Sequence, residues 1–591
     1  MLNDTMRGLK RTGYCGDLRI SDIDKEITVT GWVQRQRDLG QLIFIDLRDR
    51  SGIIQLAFDE DVSREIFDKA FSVRSEFVLC AKGILRERSA KNKDIPTGDV
   101  ELAVTDLRIL SKAQTPPFEI VENSNTNEEL RLTHRYLDLR RPDVQKTIIM
   151  RHKIVKSTRD FFDDNGFIEI ETPILIKSTP EGARDYLVPS RVFEHSFFAL
   201  PQSPQLYKQL LMLSGFDRYV QIAKCFRDED LRADRQPEFT QIDLEMSFVD
   251  IPEVMEIGEG LMTKVYKDVL DIDLVTPFPK MTYSEAMNRF GSDKPDLRFG
   301  MEICDLSEIL KATGFRVFAG ALSTGSIRAI VAKNAYDTLS RKEIDKLTEW
   351  IKAYGARGLA WTRIGADISS SFEKFLTDDE NTAIKNALGA QTGDVIFIVA
   401  DADTDVVFAS LGALRCEIAK RLGIIDTSKP NLLWVTDFPL FEYDKDENRY
   451  VAKHHPFTAP CDDDIDKLKT NPSSAVAKAY DLILNGNEVG GGSIRINDPA
   501  LQQTMFDALG FTQEDAQERF GFLMNAFAYG APPHGGMALG LDRLVMLMCN
   551  CDSIRDVIAF PKVANSGELM SGAPGRVDQK QLEELGIALQ K

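Results

Sequence analysis

The first 110 residues consist of short runs of β-branched and aromatic residues, and this pattern constrains the fold more than any other feature of the chain. Turns such as Gly40 and Asp49–Gly52 separate the runs. The pattern predicts five strands, with a helix at Ser63–Phe71 between the third and the fourth. The predicted strands are Glu26–Val33, Gln41–Asp46, Ile53–Ala57, Phe77–Leu85 and Val100–Leu110.

Five short strands with one helix fit a small Greek-key barrel of the OB type, which commonly binds single-stranded nucleic acid on one face. The sequence Gln114–Pro117 contains two adjacent prolines, and the polar segment Glu122–Glu129 follows it. We interpret these residues as a linker between domains. The chain has 591 residues, which corresponds to roughly four domains at about 150 residues each.

Composition excludes several classes of protein. The longest apolar runs, such as Leu544–Cys549, are far shorter than the roughly 18 residues of a membrane-spanning helix. The first residues are polar and include an early acid, so we expect no secretory signal. The eight cysteines are scattered without zinc-ligand spacing, which is typical of reduced thiols in a cytoplasmic protein.

The net charge of −19 argues against a protein coated by nucleic acid. The charge is uneven, however, because Arg131–Asp160 contains nine Lys and Arg residues against three Asp. A basic strip on an acidic protein suits a nucleic-acid partner that is contacted at defined places. A solvated helix face explains the same strip equally well.

The middle of the chain is predicted to begin with a long amphipathic helix, from about Leu139 to Asn165–Gly166, followed by a strand at Phe167–Pro173. Residues 281–420 have their own alternation of strands and helices but carry no cluster of chemically active residues. We interpret them as an insertion. Its predicted strands are Phe315–Phe318, Ile327–Val331, Gly358–Trp361 and Val395–Ala400.

The segment Cys225–Glu245 contains the first cluster of chemically active residues. It is predicted to be a hairpin in which Arg227 ends the strand Tyr219–Cys225 and Phe239–Glu245 is the returning strand. An arginine at such a strand end can hold a phosphate through two hydrogen bonds. A surface hairpin with ordinary salt bridges is the alternative.

The segment Tyr480–Ile496 contains the second cluster. We predict a helix that carries Asp481 and ends at Asn485–Gly486, followed by a strand with Glu488 and Arg495. Two carboxylates on either side of a turn can share a magnesium ion, which usually takes one or two carboxylates together with substrate phosphates. The three glycines Gly490–Gly492 allow a ligand close to the backbone, although a flexible strand edge is the alternative.

The segment Gly530–Val545 contains the third cluster. An apolar strand, the sequence Gly540–Arg543 and a helix from Leu544 place Arg543 near a helix N-terminus, where anions bind. The alternative is an arginine paired with Asp542. The three clusters together supply two arginines and two acids, which suffice for a magnesium-bound triphosphate in a chain without a P-loop sequence.

These segments resemble the class II aminoacyl-tRNA synthetases. Pro173, Phe226–Glu229 and Gly540–Arg543 match motifs 1, 2 and 3 of that class, and the class I signatures HIGH and KMSKS are absent. Longer segments are similar to the bacterial type of aspartyl-tRNA synthetase, and the resemblance covers almost the whole chain. These segments are Ser178–Ser190, Pro201–Gly215, Arg232–Gln241, His454–Phe457 and Asn485–Ile496.

The resemblance implies an α+β multidomain fold: an N-terminal OB-fold barrel, a class II catalytic core with a mixed, mainly antiparallel sheet and flanking helices, and an inserted α+β domain of the bacterial type. It also implies a homodimer built on the motif 1 helix and strand, at about residues 141–173. The expected divisions are 1–112 anticodon-binding barrel, 113–140 linker, 141–290 first catalytic part, 291–420 insertion, 421–562 second catalytic part and 563–591 C-terminal extension.

The implied reaction is activation of L-aspartate with ATP and Mg²⁺ to aspartyl-adenylate, followed by transfer to the 3′ end of tRNA-Asp. Positioning and charge neutralisation are sufficient for such catalysis, which agrees with the absence of a nucleophile–base pair. Arg227, Arg543 and Glu488 are the expected catalytic residues, and Asp481 and Glu488 the metal ligands.

The remaining residues follow from the same resemblance. Those expected to bind aspartate are Glu181, Ser203, Gln205, Lys208, Arg227, Asp243, His454 (on a mobile loop) and Arg495. Those expected to bind ATP are Arg227, Asp228, Glu229, Gln236, Glu488, Gly540, Leu541, Asp542 and Arg543. Those expected to read the anticodon are Arg37, Leu39, Phe44 and Gln55. His455 is expected to be structural.

Two charged side chains, Arg495 and Lys208, are expected to face the side-chain carboxylate of aspartate and to be left without a counter-charge when asparagine enters. Two other functions stay open. One is an enzyme that charges both tRNA-Asp and tRNA-Asn, against which Leu39 in the barrel is a weak indication. The other is a non-charging paralogue or RNA-binding module, against which the intact arginines and acids argue.

Overall fold

The computed structural model describes residues 4–59, 61–179, 183–229, 235–444 and 448–589. The chain forms two compact units, each of which is assembled from segments that are distant in sequence. The first contains the chain up to His152 together with Cys551–Val577. The second contains Lys153–Asp230, Gln236–Asn550 and the segment from Asp578 onward.

A closed five-stranded barrel forms the N-terminal part of the first unit, with the strand order β1-β2-β3-β5-β4. Its elements are β1 (Glu26–Asp38), β2 (Ile43–Asp49), β3 (Gly52–Phe58), α1 (Arg64–Ser72), β4 (Val78–Glu87) and β5 (Val100–Ser111). The inward-facing side chains, among them Val29, Val33 and Ile45, are fully buried and form one apolar core. The predicted strands and helix of the barrel are confirmed, and β1 is longer than predicted at its C-terminal end.

Three helices follow the barrel: α2 (Glu128–Thr133), α3 (Arg135–Asp138) and α4 (Pro142–Asp164). The predicted long helix is therefore confirmed, although it begins at Pro142, whose fixed φ suits a first helical position. Gly166, with φ +74°, lies just after its end. The predicted strand at Phe167–Pro173 is reduced to β6 (Ile168–Glu169).

The first part of the large sheet in the second unit is built before the insertion. Its elements are β6, β7 (Leu187–Pro189), β8 (Phe197–Ala199), α5 (Gln205–Leu213), β9 (Arg218–Phe226), β10 (Glu238–Ser247), α6 (Ile251–Leu270), β11 (Lys280–Thr282) and α7 (Tyr283–Phe290). β7 and β8 form a separate small hairpin. The antiparallel pair β9–β10 is the hairpin predicted around Arg227.

The insertion forms a five-stranded sheet with the strand order β12-β13-β16-β14-β15 and an apolar core on each face. Its elements are β12 (Cys304–Asp305), α8 (Arg316–Ala321), β13 (Ser326–Ala332), α9 (Arg341–Trp350), β14 (Ala360–Ile364), β15 (Ile368–Ser370), α10 (Asp378–Ala387), β16 (Val395–Asp401) and α11 (Thr404–Leu422). The strand predicted at Phe315–Phe318 is wrong. This segment is helical because Phe318 and Ala321 recur at helical spacing on a buried face.

The second part of the large sheet and its helices complete the chain. The elements are β17 (Leu432–Thr436), β18 (Phe441–Asp444), β19 (Arg449–Ala452), α12 (Lys467–Thr470), β20 (Ala479–Leu484), β21 (Asn487–Ile494), α13 (Pro499–Ala508), α14 (Gln513–Phe527), β22 (His534–Gly540), α15 (Leu541–Met548) and α16 (Gln579–Glu584). The sheet has eight strands in the order β11-β17-β20-β21-β22-β10-β9-β6. The outermost pairs are parallel and the five inner ones antiparallel, which confirms the predicted mixed, mainly antiparallel core.

The prediction of a helix around Asp481 is wrong. Asp481 lies on β20, which pairs with β21 through a tight turn at Asn485–Gly486. Every residue of β20 is buried, and all except Asp481 are apolar or aromatic, so the sequence shows no alternation that would reveal a strand. Among the described residues, no helix is both long and apolar enough to cross a membrane.

Candidate functional site

Four adjacent strands of the large sheet provide the floor of the candidate site. Asp243 on β10, Ala538 on β22, Gly491 on β21 and Asp481 on β20 are paired in one row across the strands. Directly paired residues project from the same face of a sheet. The two small residues between the carboxylates therefore leave space above the floor, where a ligand can lie.

The next row along the floor contains a buried cluster of charged side chains. Lys208 Nζ lies 2.7 Å from Asp243 Oδ1 and 3.3 Å from Glu245 Oε2. Arg495 donates Nε and Nη2 to the two carboxylate oxygens of Glu245, at 2.9 and 3.1 Å. All four side chains are buried. Two cations and two anions thus compensate each other within the protein.

This arrangement corrects one expectation from the sequence. Arg495 and Lys208 were expected to be left without counter-charges unless aspartate is bound, whereas Glu245 and Asp243 already pair with them. Sequence reasoning missed Glu245 as a functional residue. The alternation in β10 contained a signal, because Asp243 and Glu245 are two residues apart and so share a face.

The electrostatics of the cluster follow from burial and from its cations. Burial alone would raise the pKa of the Glu245 carboxyl, but the charges of Arg495 and Lys208 lower it to about 2. Burial raises the pKa of the Asp243 carboxyl, and the nearby Lys208 opposes this rise. Glu245 is therefore the permanent anion that holds Arg495 in place.

His455 belongs to the same cluster, where it contacts Arg495. Its Nε2 lies 2.7 Å from Arg495 Nη1, and its Nδ1 lies 3.1 Å from the backbone N–H of Phe457. Burial, and then the charge of Arg495, lowers the pKa of His455 well below its usual value, so the ring is neutral. A neutral imidazole accepts at only one nitrogen, so it cannot accept from both donors at once.

His454 lies closer to the predicted metal ligands than to the charged cluster. Its Nε2 is 3.9 Å from Asp481 Oδ1, and its ring packs edge-on against Phe438. Its Nδ1 is buried and has no hydrogen-bond partner among the described residues. This imidazole can therefore donate or accept one further hydrogen bond above the floor.

The phosphate-binding residues predicted from the sequence lie at one edge of the floor. In the antiparallel series β21-β22-β10-β9, this edge contains the start of β21, the end of β22, the start of β10 and the end of β9. Glu488, Arg543, Gln236 and Arg227 lie at or next to these four strand ends. The topology therefore brings all three sequence clusters to one edge of the sheet.

Arg227 is held ready for an anion. Its backbone N–H donates to Pro237 O at 2.9 Å, which closes the β9–β10 hairpin, and its guanidinium lies 5.2 Å from the centre of the Phe239 ring. Its Nε is buried without a hydrogen-bond partner in the part of the chain that the structure describes. A buried donor of this kind is costly to leave unpaired, and a phosphate or carboxylate oxygen would satisfy it.

Arg543 lies in the first turn of α15 and is anchored to the next strand. Its Nη1 donates to the backbone oxygen of Glu488 at 2.6 Å. Asp542 is buried and accepts a hydrogen bond from the Thr240 N–H at 2.7 Å, so it connects α15 to β10. Gly540 and Leu541 mark the change from β22 to α15, which begins at Leu541 and not at Leu544.

Among the other residues predicted to bind ATP, Gln236 is buried beside the start of β10. Asp228 pairs with Arg184 on the outside of the hairpin, with 3.6 Å between the Arg184 Nε and a carboxylate oxygen. Glu229 follows Asp228 in the same loop, and both residues are half-buried.

Asp481 and Glu488 fit a divalent cation. They lie on the two strands of one hairpin. Burial, and then the charge of Asp481, raises the pKa of the Glu488 carboxyl. Arg543 and Lys294 oppose this rise, and sequence reasoning missed Lys294. A cation would relieve the repulsion between the carboxylates. Mg²⁺ usually takes one or two protein carboxylates together with substrate phosphates. The described residues contain no cluster of three or more metal-ligating side chains.

The remaining residues predicted to bind aspartate lie around the start of α5. Gln205 and Lys208 are one helical turn apart on a buried face, and Ser203 Oγ accepts from the Gln205 N–H at 3.3 Å. Nε2 of Gln205 is buried and has no partner within the described ranges. Glu181 lies outside the described residues.

The residues predicted to read the anticodon lie on the barrel in the first unit. Arg37 and Phe44 are paired on the outer face of β1 and β2, with the guanidinium 5.7 Å from the centre of the ring. Leu39, in the turn between these strands, is 68% exposed. The Arg37 and Phe44 side chains are both half-buried. A ring and a cation on the outside of a barrel can stack on unpaired bases.

Gln55 has a supporting position beneath Arg37. Its side chain is buried, and its Oε1 accepts from Arg37 Nη2 at 2.9 Å and from Arg88 Nη2 at 2.8 Å. Its Nε2 donates to Glu101 at 2.7 Å. Sequence reasoning missed Arg88 and Glu101, which contact Gln55 only after the barrel closes.

Comparison with known proteins agrees with this geometry. The family described as "tRNA synthetases class II (D, K and N)" matches residues 127–564, and the "OB-fold nucleic acid binding domain" matches residues 27–110. The aspartate–tRNA ligase of Ruminiclostridium cellulolyticum is 58% identical over 595 residues, with 100% of both chains covered. The aspartate–tRNA(Asp/Asn) ligase of Caldanaerobacter subterraneus subsp. tengcongensis is 57% identical over 592 residues, also with 100% of both chains covered.

The fold is also similar to that of solved structures. The asparaginyl-tRNA synthetase of Pyrococcus horikoshii in complex with asparaginyl-adenylate superimposes with a TM-score of 0.58 at 20% identity, over 93% of this chain and 98% of that one. This chain belongs to the class II tRNA synthetases of the aspartate, lysine and asparagine group.

Proposed function

We propose that this chain, an aspartate–tRNA ligase by its full-length similarity to bacterial enzymes of that name, activates aspartate in the pocket formed by Lys208, Asp243, Glu245 and Arg495. The α-carboxylate of aspartate attacks the α-phosphate of ATP, which gives aspartyl-adenylate and pyrophosphate. The aspartyl group is then transferred to the terminal ribose of tRNA. The observation that carries this proposal is the buried, charge-compensated cluster on the sheet floor.

The geometry around Arg495 supports a carboxylate as the recognised group. Glu245 occupies Nε and Nη2 of Arg495, and Nη1 lies against the neutral His455. A side-chain carboxylate that approaches Nη1 would accept from Arg495 and from a protonated Nε2 of His455. The ring could then keep its Nδ1 as the acceptor for Phe457, and both donor contacts would be satisfied.

The phosphate edge supports ATP as the second substrate. The unpaired Nε of Arg227 suits the α-phosphate. Arg543 lies near the opposite end of the row, where the terminal phosphates would lie. Asp481 and Glu488 would hold Mg²⁺, which when bound neutralises charge on phosphate oxygens. Gly491 lies opposite Asp481, and its lack of a side chain leaves that carboxylate room.

Two tRNA specificities are supported by relatives of nearly the same identity. We propose tRNA-Asp as the RNA substrate, as for the enzyme at 58% identity. Charging of tRNA-Asn as well is the second candidate, favoured by the enzyme at 57% identity that is named for both tRNAs. Side-by-side charging of the two transcripts separates the candidates, because the active site for aspartate is common to both.

Aspartate-dependent exchange of pyrophosphate into ATP tests the activation step. We expect exchange with aspartate, ATP and Mg²⁺ in the absence of tRNA, and transfer to tRNA-Asp when it is added. No aspartate-dependent exchange by the folded protein would contradict the proposed function. The eight cysteines form no disulfide in the described part of the chain, which supports a reducing compartment such as the cytoplasm as its location.

A homodimer and the division of the chain also belong to this proposal. The divisions 1–112, 113–140, 141–290, 291–420, 421–562 and 563–591 are supported by the barrel, by the two parts of the large sheet and by the separate sheet of the insertion. A dimer through residues 141–173 is supported by two exposed apolar side chains in that segment, Ile149 and Ile168. Sedimentation at micromolar concentration should detect a dimer with this isologous interface, and a monomer would contradict it.

A further inference from the structure

The first unit contains a cavity of about 600 Å³ that the proposed reaction does not use. It lies between the barrel and the following helices, and its polar lining is dominated by Arg11, Arg48, Arg50 and Arg140. The rings of Tyr14 and Trp32 form part of its wall. A cavity of this size can hold a nucleotide-sized group.

The charge of this cavity is positive although the whole chain carries −19. Arg11 is paired with Asp49, while Arg48 and Arg140 share the single carboxylate of Glu76 at 2.9 Å each. Among the described residues, Arg50 has no carboxylate partner. Four guanidinium groups therefore face two carboxylates, which leaves an excess of two positive charges for a ligand to neutralise.

The lining also contains N–H donors that have few acceptors, together with aromatic rings. Arg50 Nη2 donates only to the Tyr14 hydroxyl, at 3.2 Å, and both Arg11 and Arg50 lie over the Tyr14 ring, at 4.0 and 5.1 Å from its centre. The Trp32 Nε1–H is buried and has no partner in the described chain. The guanidinium and indole N–H groups would bind anionic oxygens, and the rings would contact a planar group or a sugar.

The cavity and the candidate anticodon surface lie on the same two strands of the barrel. Trp32 pairs with Arg48, and Arg37 pairs with Phe44, so both pairs lie on the outer face of the same two strands. Arg48 is four positions after Phe44 on β2, which corresponds to about 14 Å at about 3.4 Å per residue. An RNA strand whose bases are read at Arg37 and Phe44 would bring phosphates to the cavity within a few nucleotides.

We propose that this cavity is a second RNA-binding site of the first unit, which takes backbone phosphates of the tRNA next to the anticodon. Arg50 and Arg140 contact phosphate oxygens, and the Tyr14 and Trp32 rings contact the adjoining ribose or base. The site contributes affinity but reads no sequence, since its donors suit any phosphate. This inference rests on tRNA being the substrate.

The test compares Arg50→Gln with Arg64→Gln in the full-length protein. Arg64 is a matched control because it lies on the same barrel, is paired with Asp68 and does not line the cavity. We expect Arg50→Gln to weaken the binding of tRNA-Asp by about 3- to 10-fold and to reduce the slope of log K against log salt by about one. Equal affinities and slopes for the two variants would overturn the proposal.

A second measurement separates backbone contact from base reading and from free nucleotides. With a tRNA whose anticodon is substituted, the penalty of Arg50→Gln should persist at the same factor, because phosphate contacts are uniform across sequences. A penalty that vanishes with that tRNA would overturn the proposal. Binding of AMP to the cavity can be followed by quenching of Trp32 fluorescence, with Trp32→Phe as the reference. If Arg50→Gln weakened the binding of AMP but not the binding of tRNA, the proposal would also be overturned.

Aspartate-dependent pyrophosphate exchange distinguishes failure of this proposal from failure of the proposed function. Exchange needs no RNA, so wild-type protein without exchange would contradict the function itself. Wild-type protein that exchanges and charges tRNA, combined with an Arg50→Gln variant that binds tRNA like Arg64→Gln, would contradict only the cavity assignment.

Discussion

Arg495 and Lys208 illustrate how the local charges change an argument that the sequence alone suggests. The residue types imply two cations that await a carboxylate, whereas Glu245 and Asp243 already compensate them. Discrimination against asparagine then depends on hydrogen-bond polarity at Arg495 Nη1 and His455 Nε2. An amide NH₂ directed at these donors leaves buried groups unpaired, and such mismatches can reject an analogue by about 10⁴–10⁵-fold.

Arg495→Leu should therefore impair activation of aspartate far more than it changes the affinity for ATP, which contacts other residues. It should also narrow the aspartate-to-asparagine ratio in pyrophosphate exchange. Removing one partner of a buried pair costs about 3–5 kcal/mol. The unfolding free energy should therefore fall as well, because Glu245 and Asp243 would then share the single buried cation Lys208. Exchange kinetics and denaturant unfolding measure the two effects.

The double variant Arg495→Leu/Glu245→Gln is the control for stability. It removes both charges of the pair, so it should regain much of the lost unfolding free energy without regaining the preference for aspartate. If Arg495→Leu kept the full preference, or lost ATP affinity to the same degree as aspartate activation, Arg495 would not determine specificity.

The hairpin of β20 and β21 shows at the level of elements why its glycines are needed. A Cβ on Gly491 would lie 2.2 Å from Asp481 Oδ1, closer than any real contact allows. Gly491→Ala should therefore displace the Asp481 carboxylate and raise the Mg²⁺ concentration required for half-maximal exchange by about 10-fold or more. Titration of exchange with MgCl₂ measures this.

Gly320→Ala is the matched control for this substitution. Gly320 lies in α8 of the insertion, and a Cβ there would meet nothing within 4 Å. The Mg²⁺ concentration that the Gly320→Ala variant requires for half-maximal exchange should equal that of the wild type. A Gly491→Ala variant with an unchanged Mg²⁺ requirement would show that Asp481 does not bind the metal.

The same hairpin marks the limit of sequence reasoning about elements. The barrel strands were predictable because apolar residues alternate along them and glycine turns separate them. The segment Tyr480–Leu484 is buried on both faces, so its apolar run has no visible period and was taken for a helix. The turn at Asn485–Gly486 is predictable, because Asn and Gly are the residue types that tolerate positive φ. In the structure their φ angles are +53° and +74°.

At the scale of the whole molecule, the sequence predicts the motifs of the site. It does not predict which strands lie side by side or which charged side chains pair across them. The motifs around Arg227, Glu488 and Arg543 were identified separately, but only the strand order brings their strand ends to one edge. Glu245 pairs with Arg495 across 250 positions of sequence. No local pattern contains such a contact, because it depends on the register of β10, β22 and β21.

Removal of residues 1–112 tests whether the barrel serves only RNA. Aspartate-dependent exchange should stay largely intact, since the residues on the sheet floor all belong to the second unit. Charging of tRNA should fall by at least about 100-fold, because stacking of each base on an aromatic ring is worth about 1–3 kcal/mol and several bases are released. Exchange and charging assays on the same preparation measure both.

The truncation also removes contacts that the remaining part of the first unit makes with the barrel. Arg140 loses its carboxylate partner Glu76 and its position over the Trp32 ring, so folding of the truncated protein has to be verified by circular dichroism. Arg37→Gln in the full-length chain is the milder comparison, because it removes one half-buried cation, which pairs with Asp46, and leaves those contacts intact. It should reduce charging and leave exchange unchanged. If a folded truncated protein lost exchange as severely as charging, the barrel would contribute to adenylation, and the modular assignment would be wrong.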